Sequence, residues 1–429
     1  MSSNYADFFQ PDMLLVGKRW REDISMTDPK NGVSDKPIGV TEIFWRFLLL
    51  GCTSFGGPVA HLGYFRDEFV KRRRWISDQA YADLIAFCQF LPGPASSQVG
   101  MAIGLSKGGY GGMFAAWVAF TLPSALIMFG FAYGVNQYSD LLGGGWILGL
   151  KAATVAIVAQ ALLGMASSLT PDRRTASIAL VALLVVFLIP GAVGQVTAIL
   201  IGGFLGTFWC RHAPQTQQDN HKLGGNTRAG TAAFLLILFA TLMVVLPVVA
   251  TFTPAQGLTL LDSFYRAGAL VFGGGHVVLP LLQAEMVQTG LVSREDFLAG
   301  YGLAQAVPGP LFTFSSYLGA IAAGPLPATA KAGIATLGIF LPSFFLITGG
   351  LPLWNRMRRM SRARKAMTGV NAAVVGLLAA ALYDPVFAEG ITGTATLAIA
   401  AVSFIALKHW NIPAWAIVIV AGLAGGALL

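Results

Sequence analysis

Apolar stretches recur along almost the whole chain, near residues 43–64, 79–104, 111–135, 144–169, 175–190, 193–209, 231–251, 260–283, 297–320, 331–350, 366–383, 391–407 and 412–429. About 20 apolar residues carry a helix across a bilayer, and a helix satisfies its own backbone polar groups where no water can. The expectation is an all-α polytopic membrane protein with about 13 hydrophobic segments. Composition agrees: 55% of residues are hydrophobic, 11% are charged and mean hydropathy is +0.66. An ordinary soluble domain carries about 25% charged residues. The net charge of +8 does not point to nucleic acid, because the charges cluster in short loops between apolar runs, as orientation signals do. Cys52, Cys88 and Cys210 form no CxxC pair and no metal-spaced Cys/His cluster, so neither disulfide framework, metal nor cofactor is expected. Residues 1–36 mix both charge signs without an apolar centre and read as no cleavable signal. Residues 1–40 are expected to be a cytoplasmic tail.

The chain repeats itself. SFGGP at 54–58 returns as VFGGG at 271–275, QFLPGP at 89–94 as QAVPGP at 305–310, and FTLPS at 120–124 as IFLPS at 339–343. Glu68 matches Glu285 and Ser77 matches Ser293, and the offset stays between 216 and 219 throughout. Duplication follows, with a first repeat over 41–209, a linker and extra helix over 210–257, and a second repeat over 258–429. The linker 210–230 is rich in Gln, Asn, Gly and Thr.

Lysine and arginine concentrate in loops 66–75, 171–175, 210–230 and 351–365, whereas loops 136–143, 190–195, 252–258 and 384–390 carry none. Simple alternation from the third segment onward puts every basic loop inside. The segment at 231–251 has no partner in the repeat, so the second half enters from the opposite side and the halves are inverted. Lys71–Arg74 conflicts with alternation if segment one is a full span. Re-entrant hairpins for segments one and two remove the conflict, and kinked full spans with an exceptional loop are the alternative. Helix-breaking chemistry sits at the centre of each, Gly56-Gly57-Pro58 and Pro92-Gly93-Pro94, repeated as Gly273-Gly274-Gly275 and Pro308-Gly309-Pro310.

A helix interrupted in mid-membrane exposes amide groups and a partial positive charge at its new N-terminus, which suits an anion. The expected substrate-binding groups are the backbone at these glycines, with short polar side chains beyond the PGP motifs: Ser96, Ser97 and Gln98, then Thr313, Ser315 and Ser316. Gln89 and Gln305 precede the two prolines at the same repeat position. Each hydroxyl alone also fits a close-packing role. His61 and His276 follow the glycine motifs slightly out of register and are either proton or anion partners or packed residues. Glu68 and Glu285 are candidates for proton coupling, or else rim ion pairs, for instance of Glu68 with Arg66 or Lys71. Arg46, Lys151 and Arg266 lie in apolar segments and are candidates to balance a dianion; the first two are near enough to segment ends to snorkel, so Arg266 is the stronger.

Taken together, FGGP with a following charged stretch, LPGP, FGGGHVVLP and VPGPLFTF resemble the chromate ion transporter family, in its long two-domain form, over roughly residues 43–385. The resemblance implies an inner-membrane carrier of a small inorganic oxyanion, chromate with sulfate as the chemically similar ion, and efflux. The lipid bilayer and, as an option, a second copy of the chain are the remaining expected partners. Other anions such as molybdate, or a non-transporting assembly or sensor protein, are the alternatives. No P-loop, HExxH or GxSxG occurs, so an enzyme is not expected.

Overall fold

The computed structural model describes residues 38–55, 57–142, 145–189, 191–210, 229–253, 255–272, 275–354 and 360–429. Among the sequence candidates, Gly56, Gly273 and Gly274 lie outside the described residues, as do residues 1–37, 211–228 and the arginines at 356, 358 and 359. The described residues form helices and no strands. The chain is a multi-pass membrane protein. Among the described residues, five helices are long and apolar enough to cross a bilayer, and several shorter apolar helices accompany them. Large apolar side chains such as Leu188, Val193, Phe208, Phe252 and Leu423 lie on the outer surface, where lipid rather than water suits them.

The stretches 43–64, 79–104, 260–283 and 297–320 are not single helices. Helix α1 (Val40–Thr53) stops before the first glycine motif, and α2 (Gly57–Phe65) continues into a π-helical turn, Arg66–Arg72. Helix α3 (Asp78–Phe90), capped by the Ser77 hydroxyl, stops at the first PGP motif. Helix α4 (Ala95–Leu142) then starts, and a kink at Gly108–Gly109 divides it. Helices α5 (Gly145–Leu169), α6 (Arg173–Leu188) and α7 (Ala192–Trp209) complete the first half.

Helix α8 (Ala229–Phe252) leaves most of its apolar surface outside the bundle and packs on its periphery. The second half then repeats the breaks. Helix α9 (Gln256–Leu270) ends before the second glycine motif; a 3₁₀ turn, α10 (Val278–Leu282) and a π-helical turn, Gln283–Val287, follow. Helix α11 (Arg294–Ala306) is capped by Ser293, as α3 is by Ser77. A 3₁₀ turn at Leu311–Thr313 leads into α12 (Phe314–Ile321), followed by α13 (Ala328–Gly350), α14 (Ser361–Ala381), α15 (Thr394–Lys408) and α16 (Ala414–Leu428). The breaks have a common cause. Proline removes an amide and blocks the preceding turn, and glycine reaches positive φ: +76° at Gly57, +125° at Gly93 and +96° at Gly309.

The outer ends of the broken pairs come back together. The Ile38 amide donates to the Lys107 carbonyl (2.9 Å), and Arg73, past the π-turn, pairs with Glu42 in the first turn of α1 (3.4 Å). In the second half the Gln256 side chain bridges the Ala323 carbonyl (2.7 Å) and the Leu326 amide (2.9 Å), while the Ala323 amide donates to the Leu291 carbonyl (2.9 Å).

Contacts between the halves are reciprocal. The Gly93 amide donates to the Val271 carbonyl (2.7 Å), and the Gly309 amide to the Ser54 carbonyl (2.8 Å). Each bond joins the PGP break of one half to the glycine break of the other. The long helices swap in the same way: α5 packs on α15 and α16, and α14 packs on α6 and α7. Small residues allow these crossings. A methyl group on Gly149 would collide with the Ala421 carbonyl, and one on Gly202 would approach the Gly369 carbonyl to 2.8 Å.

Candidate functional site

A cavity of about 400 Å³ lies where the first glycine break meets the second PGP break. Gly57, Pro58, Gln160, Gln305, Gly309 and Asn411 are among its walls. Three helical segments begin at its rim: α2 at Gly57, the 3₁₀ turn at Leu311 and α16 at Ala414. The first amides of a helix have no acceptor within it, and a helix start carries partial positive charge.

Among the described residues, no Asp, Glu, Lys or Arg lines this space. Gln305 presents a buried Nε2 with no hydrogen-bond partner among the described residues. Its neighbour Tyr301 is fully buried and places its hydroxyl 2.7 Å from His276 Nδ1. His276 also lines the cavity. The sequence candidates Gly57, His276, Gln305 and Gly309, two of them flanked by motif prolines, are therefore brought together.

The other candidates have different surroundings. Gln89 is exposed on α3 and does not line the cavity. Gln98 is buried, with Nε2 donating to the Pro92 carbonyl (2.6 Å) and to Ser343 Oγ (3.2 Å). The Thr313 hydroxyl donates to the Pro310 carbonyl (2.8 Å), and Ser316 to Ala125 (2.9 Å), whereas Ser315 Oγ is buried with no partner among the described residues. His61 lies 3.4 Å from Ser96 Oγ. One expectation needs correction: the amides of Gly93 and Gly309 are not open to an anion. Both are held by carbonyls of the opposite half, so these glycines shape and join the breaks.

The charged candidates are engaged too. Arg266 Nη2 meets Glu285 (2.7 Å) and Asp262 (2.9 Å). Glu68 pairs with neither Arg66 nor Lys71; its partner is Arg73 (3.0 Å), with Arg72 at 3.9 Å. Arg66 is taken by Asp78 (2.7 Å) and Lys71 by Asp67 (2.6 Å). Buried Lys151 reaches Glu295 (3.1 Å). At the edge of the bundle, hydrogen bonds from the Thr175 amide hold the Asp172 carboxyl below its ordinary range, where it caps α6.

Sequence reasoning missed Gln160, Tyr301, Asn411 and Pro413. Gln160 had a readable signal, being an amide inside the apolar run VAIVAQALLG. Asn411 and Pro413 had none, since only the packing of α16 brings their loop to the cavity.

The family model described as "Chromate transporter" matches residues 41–207 and 258–426. A chromate transport protein of Pseudomonas aeruginosa is 29% identical over 416 residues, covering 93% of this chain and 95% of its own length. One from Cupriavidus metallidurans is 27% identical over 351 residues, 80% of this chain and 81% of that protein. A probable chromate transport protein of Synechococcus elongatus is 26% identical over 346 residues, 78% and 82% of the two chains. No solved structure matches the chain.

Proposed function

This chain belongs to the chromate transporter family, and on that premise we propose that it exports chromate from the cytoplasm across the inner membrane, with sulfate as a competing ion. The observation that carries the reading is the cavity, where three helix starts and polar side chains converge. A dianion leaving water must recover a large solvation energy. Gly57, Gln305, Gln160 and the amides beyond Pro310 supply it through fixed dipoles, with Pro308, Gly309 and Pro310 holding the break open. Binding of this kind is strong enough for entry and weak enough for release. Donors without a charge of their own distinguish tetrahedral dianions poorly, hence the sulfate competition. In this reading Pro92, Gly93, Pro94, Ser96 and Ser97 are the matching elements of the other half.

Export needs no coupled ion for its driving force. With the cell interior negative, two charges crossing about 100 mV gain about 4.6 kcal/mol.

The proposed topology has paired re-entrant hairpins in two inverted halves, the first set opening to the cytoplasm and the second to the outside, with a cytoplasmic N-terminus. Support comes from the Glu42–Arg73 and Ile38–Lys107 contacts, which bring the first set's ends together. After its kink, α4 runs on for about 50 Å, and α5 begins just beyond, where Lys151 meets Glu295 at the start of α11.

Inverted membrane vesicles carrying the protein are expected to accumulate labelled chromate, with unlabelled sulfate reducing the uptake and molybdate as a third probe. Uptake no greater than in vesicles without the protein would sink the proposal.

A further inference from the structure

Behind the bond between Gly309 and Ser54 lies a second concentration of polar groups that the cavity does not include. His61 is 1% exposed; its Nδ1 stands 3.4 Å from Ser96 Oγ, in the first turn of α4, and its ring adjoins Ser54 and meets Phe120 edge-on. Ser54 Oγ, His61 Nε2, Ser97 Oγ and Thr121 Oγ1 are all buried without a hydrogen-bond partner among the described residues. Ser54 and Thr121 are 0% and 3% exposed, Ser96 and Ser97 both 3%. Buried polar atoms are nearly always bonded, so Ser54 Oγ and His61 Nε2, unpaired beside Ser96 in the first turn of a long helix, call for a ligand, with Ser97 and Thr121 as further unpaired hydroxyls on the same helix.

We propose that this cluster is a second, inner position for the same class of small tetrahedral oxyanion, in series with the cavity and separated from it by the Gly309–Ser54 bond. It rests on the transport reading above. The chemistry suits an anion rather than a cation. When Ser96 donates to Nδ1, the neutral ring carries its proton on Nε2, which then points a donor at the ligand. The Ser54 hydroxyl is free to turn its hydrogen the same way, and the first-turn amides at Ala95–Ser97 add the positive end of the helix. Among the described residues, no carboxylate is bonded to the cluster. Proximity follows from the chain: Gly309 and Gly57 line the cavity, Ser54 accepts from Gly309, and His61 is one turn beyond Gly57 in α2. Two dianions in series repel each other, so an ion entering one position loosens the ion ahead of it, as in multi-site channels.

Titrating the purified, lipid-embedded protein with labelled chromate and reading ions bound per chain tests the inner position. Two ions per chain are expected. His61→Phe, which keeps the ring packing, is expected to leave one. Ser97→Ala, which trims a single oxygen, is expected to weaken one of the two binding steps about tenfold. The cavity variant Gln305→Leu is expected to weaken the other step only. A single ion in the unaltered protein, undiminished by Ser97→Ala and His61→Phe, would overturn the inner position, mark the cluster as a water site and leave the cavity reading intact. Absence of any bound ion would overturn the transport reading itself.

Discussion

Replacing Gly309 with alanine perturbs the joint between the halves at one atom. Gly309 has φ +96°, which an L-residue adopts at a cost of about 1–3 kcal/mol. The new methyl group would stand 2.8 Å from Ser124 Oγ, 3.2 Å from Ser124 Cβ and 3.3 Å from the Gly51 carbonyl. Ser124 cannot swing away freely, because its hydroxyl donates to Thr121 (3.0 Å), and losing that bond costs about 1 kcal/mol more. The expected destabilisation is therefore about 2–4 kcal/mol, the sum of the two costs. Gly57→Ala is the control. Its φ is +76° but a methyl group there meets nothing within 4 Å, so only backbone strain of about 1–2 kcal/mol remains. Loss of folded, lipid-embedded protein on heating, followed by size-exclusion, reads the difference, and vesicle uptake reads function. Gly309→Ala should insert, melt earlier than Gly57→Ala and carry less chromate. Should Gly309→Ala match the unaltered protein while Gly57→Ala melts earlier, the role assigned to the reciprocal link is wrong.

Gly149→Leu should disrupt folding severely, since even a methyl group there meets the Ala421 carbonyl at the α5–α16 crossing; expression and monodispersity check it. Lys151→Met should be nearly neutral, whereas Glu295→Gln should lower heat resistance by leaving a buried ammonium without its counter-charge. Asp172→Ala should cost about 1 kcal/mol by removing the cap of α6, read as a small fall in heat resistance. In a background with Cys52, Cys88 and Cys210 replaced, cysteines at Arg72 and Arg362 should label from the cytoplasmic face and one at Arg294 from the outside; labelling of all three from one face would refute the inverted arrangement.

Much of the architecture was legible because membrane folding leaves few choices. Runs of apolar residues fixed helices, and Pro92, Gly93, Pro308 and Gly309 marked where helices stop, since the covalent chemistry that breaks a helix is local. Ser77 and Ser293 cap equivalent helices for the same reason. What failed was everything set by partners distant in sequence. The Gly93 and Gly309 amides looked open because their acceptors, Val271 and Ser54, belong to the opposite half. Arg266 looked like a spare cation because Glu285 reaches it only after α9 and the π-turn pack together, although its other partner, Asp262, stands one turn earlier on α9 and was legible as an i,i+4 pair. Gln89 and Gln305 are equivalent by repeat yet differ in setting. Gln160 stands opposite Gln305 on α5, while the corresponding stretch of α14, Leu377–Ala379, is apolar.

That asymmetry gives the most direct measurement of where the anion is recognised: chromate flux in proteoliposomes for Gln305→Leu beside Gln89→Leu. Gln305 contributes a buried, unpartnered donor to the cavity, and a hydrogen bond to a charged ligand is worth about 1.5–3 kcal/mol, or about 10- to 150-fold. Gln305→Leu should therefore lower flux at least about tenfold, while Gln89→Leu, exposed on α3, should leave it near that of the unaltered protein. Equal loss in both variants, or full flux in Gln305→Leu, would contradict recognition at this cavity.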